Sequence, residues 1–315
     1  MSGRTLILSG GVGGAKLVLG LSRTINGDDL VVACNTGDDF DHLGLRICPD
    51  IDSVTYALSD LADELRGWGR KNETWKFISA IRDLGGPSWF NLGDMDLATH
   101  VLRTHLLKNG ASLSEVTDKF AATLGITAKI LPMSDDPIAT IVRTKTEKIS
   151  FQHYFVYEQC KREVTGFEFD GISHAKPQSQ LIEILKNGVN AIIIAPSNPY
   201  VSIDPIISIP GFKDALRKTG APIIAVCPIV GGQAIKGPAA KMMLELGKEV
   251  SALGIARHYQ GLIDGLVLDK IDKGLTSEVK DLGIEPLVTD TIMTDLKTKV
   301  ELAKKTIEFA RKLSL

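Results

Sequence analysis

A chain of 315 residues with 44% hydrophobic and 23% charged residues buries a sizeable core in one large or two joined domains, which excludes a disordered protein. Thirty-six basic against 38 acidic residues leave a net charge of −2, so no bulk field draws nucleic acid or an anionic membrane, and the apolar runs fall far short of the roughly 20 residues a membrane helix needs. Cys34, Cys48, Cys160 and Cys227 stand singly, and residues 1–5 lack the pattern of a signal peptide, so a disulfide framework or zinc site is not expected and the cytoplasm is.

The chain opens on Thr5-Leu6-Ile7-Leu8, predicted as a buried strand, then shows helical spacing over 15–22 and a second apolar run over 30–34. This β-α-β opening implies a parallel sheet. Ser9-Gly10-Gly11-Val12-Gly13-Gly14-Ala15-Lys16 joins the first strand to the helix. Glycines there let the backbone approach a phosphate, and the helix dipole favours its charge. A tight turn without ligand is the plainer reading, but four glycines in five positions exceed what turning requires. The Walker pattern fails, because Lys16 follows Ala15 and precedes Leu17; the dinucleotide fingerprint fails too, because Cys34-Asn35-Thr36 stands where a ribose-binding acid belongs.

Asn35-Thr36-Gly37-Asp38-Asp39-Phe40-Asp41-His42 and Cys48-Pro49-Asp50-Ile51-Asp52 then place five carboxylates just past the second strand. Such a cluster holds Mg²⁺ beside a phosphate loop, or caps helices, Asp50 or Asp52 serving a helix that starts near Val54. Helices are predicted over 51–65 and 114–124, and antiparallel strands over 138–170, where β-branched and aromatic residues concentrate. Between them, Gly85-Gly86-Pro87-Ser88-Trp89-Phe90-Asn91-Leu92-Gly93-Asp94 is a loop whose aromatics either anchor a core or present a ring face to a flat ligand. His42 reads as polar packing, and His100 and His105 take no role from their spacing.

Strand runs return at 191–195, 222–226 and 265–268, with helices near Asp214 and over 238–246, and a closing helix within 291–313. Two of these strands end in Ala195-Pro196-Ser197-Asn198-Pro199-Tyr200 and in a loop carrying Gly231, Gly232 and Gly237. Both loops belong on the same sheet edge as the first glycine turn, so Ser197, Asn198, Gly231 and Gly232 are candidates for phosphate, ribose or base. The expected fold is α/β: a Rossmann-like, doubly wound, mainly parallel sheet built from 1–60 and 186–315, with 61–185 as a large α+β insertion contributing to an acceptor site.

The blocks at 10–16, 35–41, 48–52 and 89–94, Met133-Ser134-Asp135-Asp136-Pro137, and the blocks at 195–199 and 228–238 together resemble the 2-phospho-L-lactate transferase family of deazaflavin (coenzyme F-420) biosynthesis, in order and over nearly the whole chain. The resemblance implies an archaeal, methanogen-like source, a homodimer and Mg²⁺ as cofactor. It further implies transfer of a phospholactyl or phosphoenolpyruvyl group from a lactyl or enolpyruvyl diphosphoguanosine to the ribityl hydroxyl of 7,8-didemethyl-8-hydroxy-5-deazariboflavin, with release of GMP. Asp50 and Trp89 would contact the deazaflavin acceptor. On that reading the amides of Gly11, Val12, Gly13 and Gly14, with Asn198, hold the diphosphate; Asp38 or Asp39 meets the metal; and Asp50 takes the attacking proton. The rival readings are a non-enzymatic sugar-nucleotide sensor of the gluconeogenesis-factor type, which the Phe40-Asp41-His42 and Cys-Pro-Asp-Ile-Asp blocks disfavour, and an NAD-dependent oxidoreductase.

Overall fold

The structure is a computed structural model that describes residues 3–314. Seven strands form its central sheet: β1 (Thr5–Ser9), β2 (Leu30–Cys34), β3 (Lys129–Pro132), β4 (Ala191–Ile194), β5 (Ile223–Val226), β6 (Gly265–Asp269) and β7 (Glu285–Thr289). Their spatial order is β7-β6-β5-β4-β1-β2-β3, and every neighbouring pair is parallel. The chain therefore winds outward from β1 in one direction as far as β3, then restarts at β4 on the other side. The crevice outside the carboxyl ends of β1 and β4 is the place where such sheets bind ligands.

Parallel strands covered on both faces send successive side chains into two apolar layers, so their sequences run continuously apolar. Leu6, Leu8, Val31 and Ala33 enter one layer, whereas Ile7, Leu30 and Val32 enter the other. The second layer packs on α1 (Gly11–Ser22) through Leu17, Val18 and Leu21, on α2 (Pro49–Leu58) through Ile51 and Val54, and on the closing helix Leu296–Leu313 through Leu302 and Ala303. The first packs on the helices Ser179–Lys186, Phe212–Lys218, Ala239–Glu245 and Ala252–His258. The doubly wound α/β sheet expected from the sequence is the observed architecture.

Two expectations need correction. The stretch 61–185 is not one insertion, because β3 lies within it and extends the central sheet beyond β2. Its Lys-Ile-Leu-Pro sequence is short and ends in proline, which an edge strand tolerates and a central strand does not. The helix expected over 51–65 stops at Leu58, and Asp60 then takes φ 57°, a left-handed value that helix cannot continue. Within 138–170 the antiparallel strands are present, ordered Lys148–Ser150, Ala139–Thr144, Val164–Asp170.

Candidate active site

β1 ends at Ser9, and the chain passes through extended Gly10 straight into α1, where glycine offers no capping side chain and Asp50 takes the Gly11 N–H instead. The remaining first-turn N–H groups and the positive end of the helix dipole are left for an anion, with the Asp50 carboxylate beside them. A Cβ on Gly13 would stand 2.5 Å from the Pro196 carbonyl oxygen, so this glycine is what lets the loop after β4 lie against the helix. Ser197 fastens the same two loops by donating its hydroxyl to the Gly10 carbonyl at 2.6 Å.

α2 starts with Pro49, whose fixed φ and missing N–H suit a first helical position. Asp50 and Asp52 follow in the first turn, both buried, and neither caps the helix. Asp50 instead reaches across to α1: Oδ1 accepts the Gly11 N–H at 2.6 Å, and Oδ2 accepts Asn35 Nδ2 at 2.9 Å. Burial pushes its carboxyl up to about 6, and those two hydrogen bonds restrain the rise. Asp52 turns to Arg103, which lies on α3 (Asp94–Lys108), is 1% exposed and donates from both terminal nitrogens. Arg103 Nη1 lies 3.3 Å from His100 Nδ1, and His100 Nε2 lies 3.3 Å from Asp96, which also accepts the Tyr56 hydroxyl.

Asp50, Asp52, Tyr56, Asp96 and His100 line a cavity of about 650 Å³ at the carboxyl edge of the sheet, within the range of small-molecule sites. Gly11, Val12, Gly13, Asp38, Asp50, Ser197 and Asn198 all line it. Asn198 does so while its own amide is in use, accepting the Tyr200 N–H at 3.0 Å and approaching Met242 Sδ at 3.2 Å. The other expected residues stand outside the lining. Gly14 is buried against Ser9 and Ser197. Asp39 is enclosed and faces Arg46 at 3.8 Å; burial pushes its carboxyl up to about 7, with Arg46 opposing. Of the two metal candidates, the Thr36–Asp39 turn brings Asp38 to the cavity lining and leaves Asp39 outside it. Trp89 packs edge-on to His42 at 5.1 Å and Tyr157 at 6.2 Å, and its neighbours Phe90 and Asn91 reach the cavity instead. Gly231 and Gly232 form the positive-φ turn between Ile229–Val230 and Gln233–Ala234, held by Asp272, so their backbone serves a hairpin.

Asp38 is the residue best placed for a cation. Its Oδ1 is buried without a hydrogen-bond partner among the described residues, and burial together with the charge of Asp50 pushes its carboxyl well above the ordinary range. An unpartnered carboxylate oxygen on a residue that lines the cavity fits an oxygen-seeking divalent ion. Asp52, Asp96 and His100 bring ligand atoms within 4.8 Å of one another, but Arg103 and Tyr56 already occupy their carboxylates.

Sequence reasoning passed over Tyr56, Trp68, Asp96, His100, Phe155 and Lys236, all of which line the cavity. Asp96 and His100 carried a readable signal, the four-residue spacing that puts both on one helix face. Trp68 and Phe155 carried none, since turns and an irregular helical segment bring them in.

The profile of the family 2-phospho-L-lactate transferase CofD matches residues 5–307. A phosphoenolpyruvate transferase of Streptomyces griseus is 37% identical over 316 residues, covering 98% of this chain and 99% of the relative. A 2-phospho-L-lactate transferase of Methanosarcina barkeri is 39% identical over 299 residues, covering 95% and 96%, and one of Methanocaldococcus jannaschii is 39% identical over 311 residues, covering 98% of each chain. Bacterial and archaeal relatives thus stand at nearly equal distance, and similarity does not choose the archaeal source expected above. A crystal structure of a UPF0052-family protein of Bacillus halodurans superposes with a TM-score of 0.63 at 15% identity, covering 96% of this chain and 99% of that one, which shows a shared fold. No described helix is long and apolar enough to cross a membrane. Sequence blocks, sheet topology and whole-chain similarity converge on one assignment: the chain belongs to the 2-phospho-L-lactate transferase family.

Proposed function

We propose that the protein transfers a phospholactyl or phosphoenolpyruvyl group from a lactyl or enolpyruvyl diphosphoguanosine to the ribityl hydroxyl of 7,8-didemethyl-8-hydroxy-5-deazariboflavin, releasing GMP. The observation that carries this reading is the position of Asp50: a carboxylate pushed up to about 6 lines the cavity while holding the first amide of α1. A proton acceptor therefore stands beside an anion-binding helix terminus. In the step itself, the hydroxyl oxygen bonds to the phosphorus that bears the lactyl or enolpyruvyl group. The bond from that phosphorus to the bridging oxygen breaks, its electron pair leaves with GMP, and the hydroxyl proton passes to Asp50. Positioning two reactants can supply about 7–11 kcal/mol and a general base about 3–5 kcal/mol, so the loops that hold the substrates matter at least as much as the base.

Mg²⁺ would be held by Asp38 with the donor's phosphates and would supply positive charge to their oxygens. The flat acceptor would lie on the apolar wall, where Trp68 and Phe155 are 44% and 40% exposed, in place of Trp89. Relatives named for both donors support either one. Supplying the deazariboflavin and Mg²⁺ with each donor in turn, and following the esterified deazaflavin and GMP by mass spectrometry, tests the reading. One GMP per ester formed is expected; absence of product with both donors overturns it.

A further inference from the structure

Two lysines on the cavity wall have no part in the function argued so far. Lys16 projects from α1 just beyond the glycine turn, and its Nζ donates to the Met293 carbonyl at 3.0 Å in the segment after β7. Lys236 comes from the loop before the helix Ala239–Glu245 and lays its ammonium over Gly67, where any Cβ would collide with it. Gly67 also takes φ 76°, so that position is doubly suited to glycine. Both lysines line the cavity.

Their charges act on one another, and the opposing pull of Glu64 on Lys16 is smaller. A third lysine nearby, Lys299, is paired with Glu64, whereas neither Lys16 nor Lys236 has an acidic group within ion-pair distance among the described residues. Burial first, then the charges of Lys236 and Lys299, lower the affinity of Lys16 for its proton. Two ammonium groups on the wall of one cavity, neither of them in an ion pair, gain from an anion that bridges them.

We infer that Lys16 and Lys236 form a diphosphate clamp on the wall of the cavity that Asp50 also lines, with Lys16 fixed on the helix and Lys236 closing from its loop over Gly67. This inference rests on the diphosphate-donor reading above. As the bond from the transferred phosphorus to the bridging oxygen breaks, the electron pair stays on that oxygen and the clamp neutralises the charge that develops there. No proton needs to move on this side, since the hydroxyl proton goes to Asp50. Electrostatic stabilisation placed where charge develops is the contribution phosphoryl transfer asks of a protein.

The test is calorimetric titration of the wild type, K16Q, K236Q and K236R with GDP, GMP and inorganic pyrophosphate. Each Gln variant should bind GDP and pyrophosphate about tenfold or more weakly, the loss expected for a hydrogen bond to a charged group. The loss for GMP should be smaller, and K236R should stay within about threefold of wild type because the charge is kept. Lys236 is exposed, so its variants test the clamp without disturbing the core. Unchanged pyrophosphate binding in both Gln variants overturns the clamp, as does an equal loss for GDP and GMP. A wild type that binds pyrophosphate but not GDP overturns the guanosine donor and leaves the clamp standing; one that binds neither overturns both.

Discussion

At the scale of single residues, the chemistry turns on what burial does to neighbouring aspartates. Asp50 is pushed up to about 6, and a general base works only when unprotonated, so kcat/KM should rise with pH through about 6 and be lost as pH falls through that value. In Asp50→Asn this limb should vanish and kcat should drop by roughly 10²–10⁴; a variant with the wild-type profile would remove Asp50 from the role. Asp39, pushed up to about 7 with both carboxylate oxygens lacking hydrogen-bond partners, acts on stability instead. Its folded carboxyl binds a proton more tightly than the unfolded one, so between about pH 4 and pH 7 the native state holds more protons and stability falls as pH rises, by at most about 1.4 kcal/mol per pH unit. Asp39→Asn should therefore raise the melting temperature more at pH 8 than at pH 4, as scanning calorimetry would show. Residue type in the sequence announced these acids, but not their division of labour. Asp38 and Asp39 are adjacent in the chain, yet a tight turn gives one to the cavity and encloses the other. Trp89 likewise read as a ring-binding aromatic or a core anchor, and its packing on His42 and Tyr157, outside the cavity lining, could not be read from residue type.

At the scale of elements, α1 carries the anion site on the proposed reading, and its fit against the loop after β4 is set by Gly13. A Cβ there meets backbone, the Pro196 carbonyl at 2.5 Å, which cannot rotate away as a side chain would. Gly13→Val must push the helix start from the Ser197 loop, at a cost of roughly 1–3 kcal/mol in stability. GDP titration should find binding reduced beyond detection, while circular dichroism retains the folded spectrum. Wild-type affinity in the variant would show that the helix start does not hold the nucleotide. This helix was legible because a glycine turn between an apolar strand and a helical repeat has few other uses. Strands β4, β5 and β6 were legible for a related reason: both faces are covered, so their sequences are unbroken apolar runs. β3 was not, being a four-residue edge strand that ends in proline. The end of α2 was not legible either, since the helical spacing runs on past Leu58 and only the left-handed backbone at Asp60 stops it.

At the scale of the whole molecule, one cavity draws its wall from distant parts of the chain: the glycine turn after β1, Asp38 after β2, Asn198 after β4, Lys236 beyond β5, Met293 after β7, and Phe155 beside the antiparallel strands. A ligand that bridges these segments binds only the folded chain, so it stabilises the molecule as a unit by about 2.7 kcal/mol at a hundred times its dissociation constant. For a chain of 315 residues, the usual unfolding entropy per residue converts this into a rise of about 4 °C in melting temperature. GDP alone and deazariboflavin alone should each produce a shift of this size. Because the two would share a space of about 650 Å³, they should touch, and added together their shift should differ from the sum of the two. A strictly additive shift would mean that they bind apart, and the direct attack of the ribityl hydroxyl on the donor phosphorus would then have no place to occur.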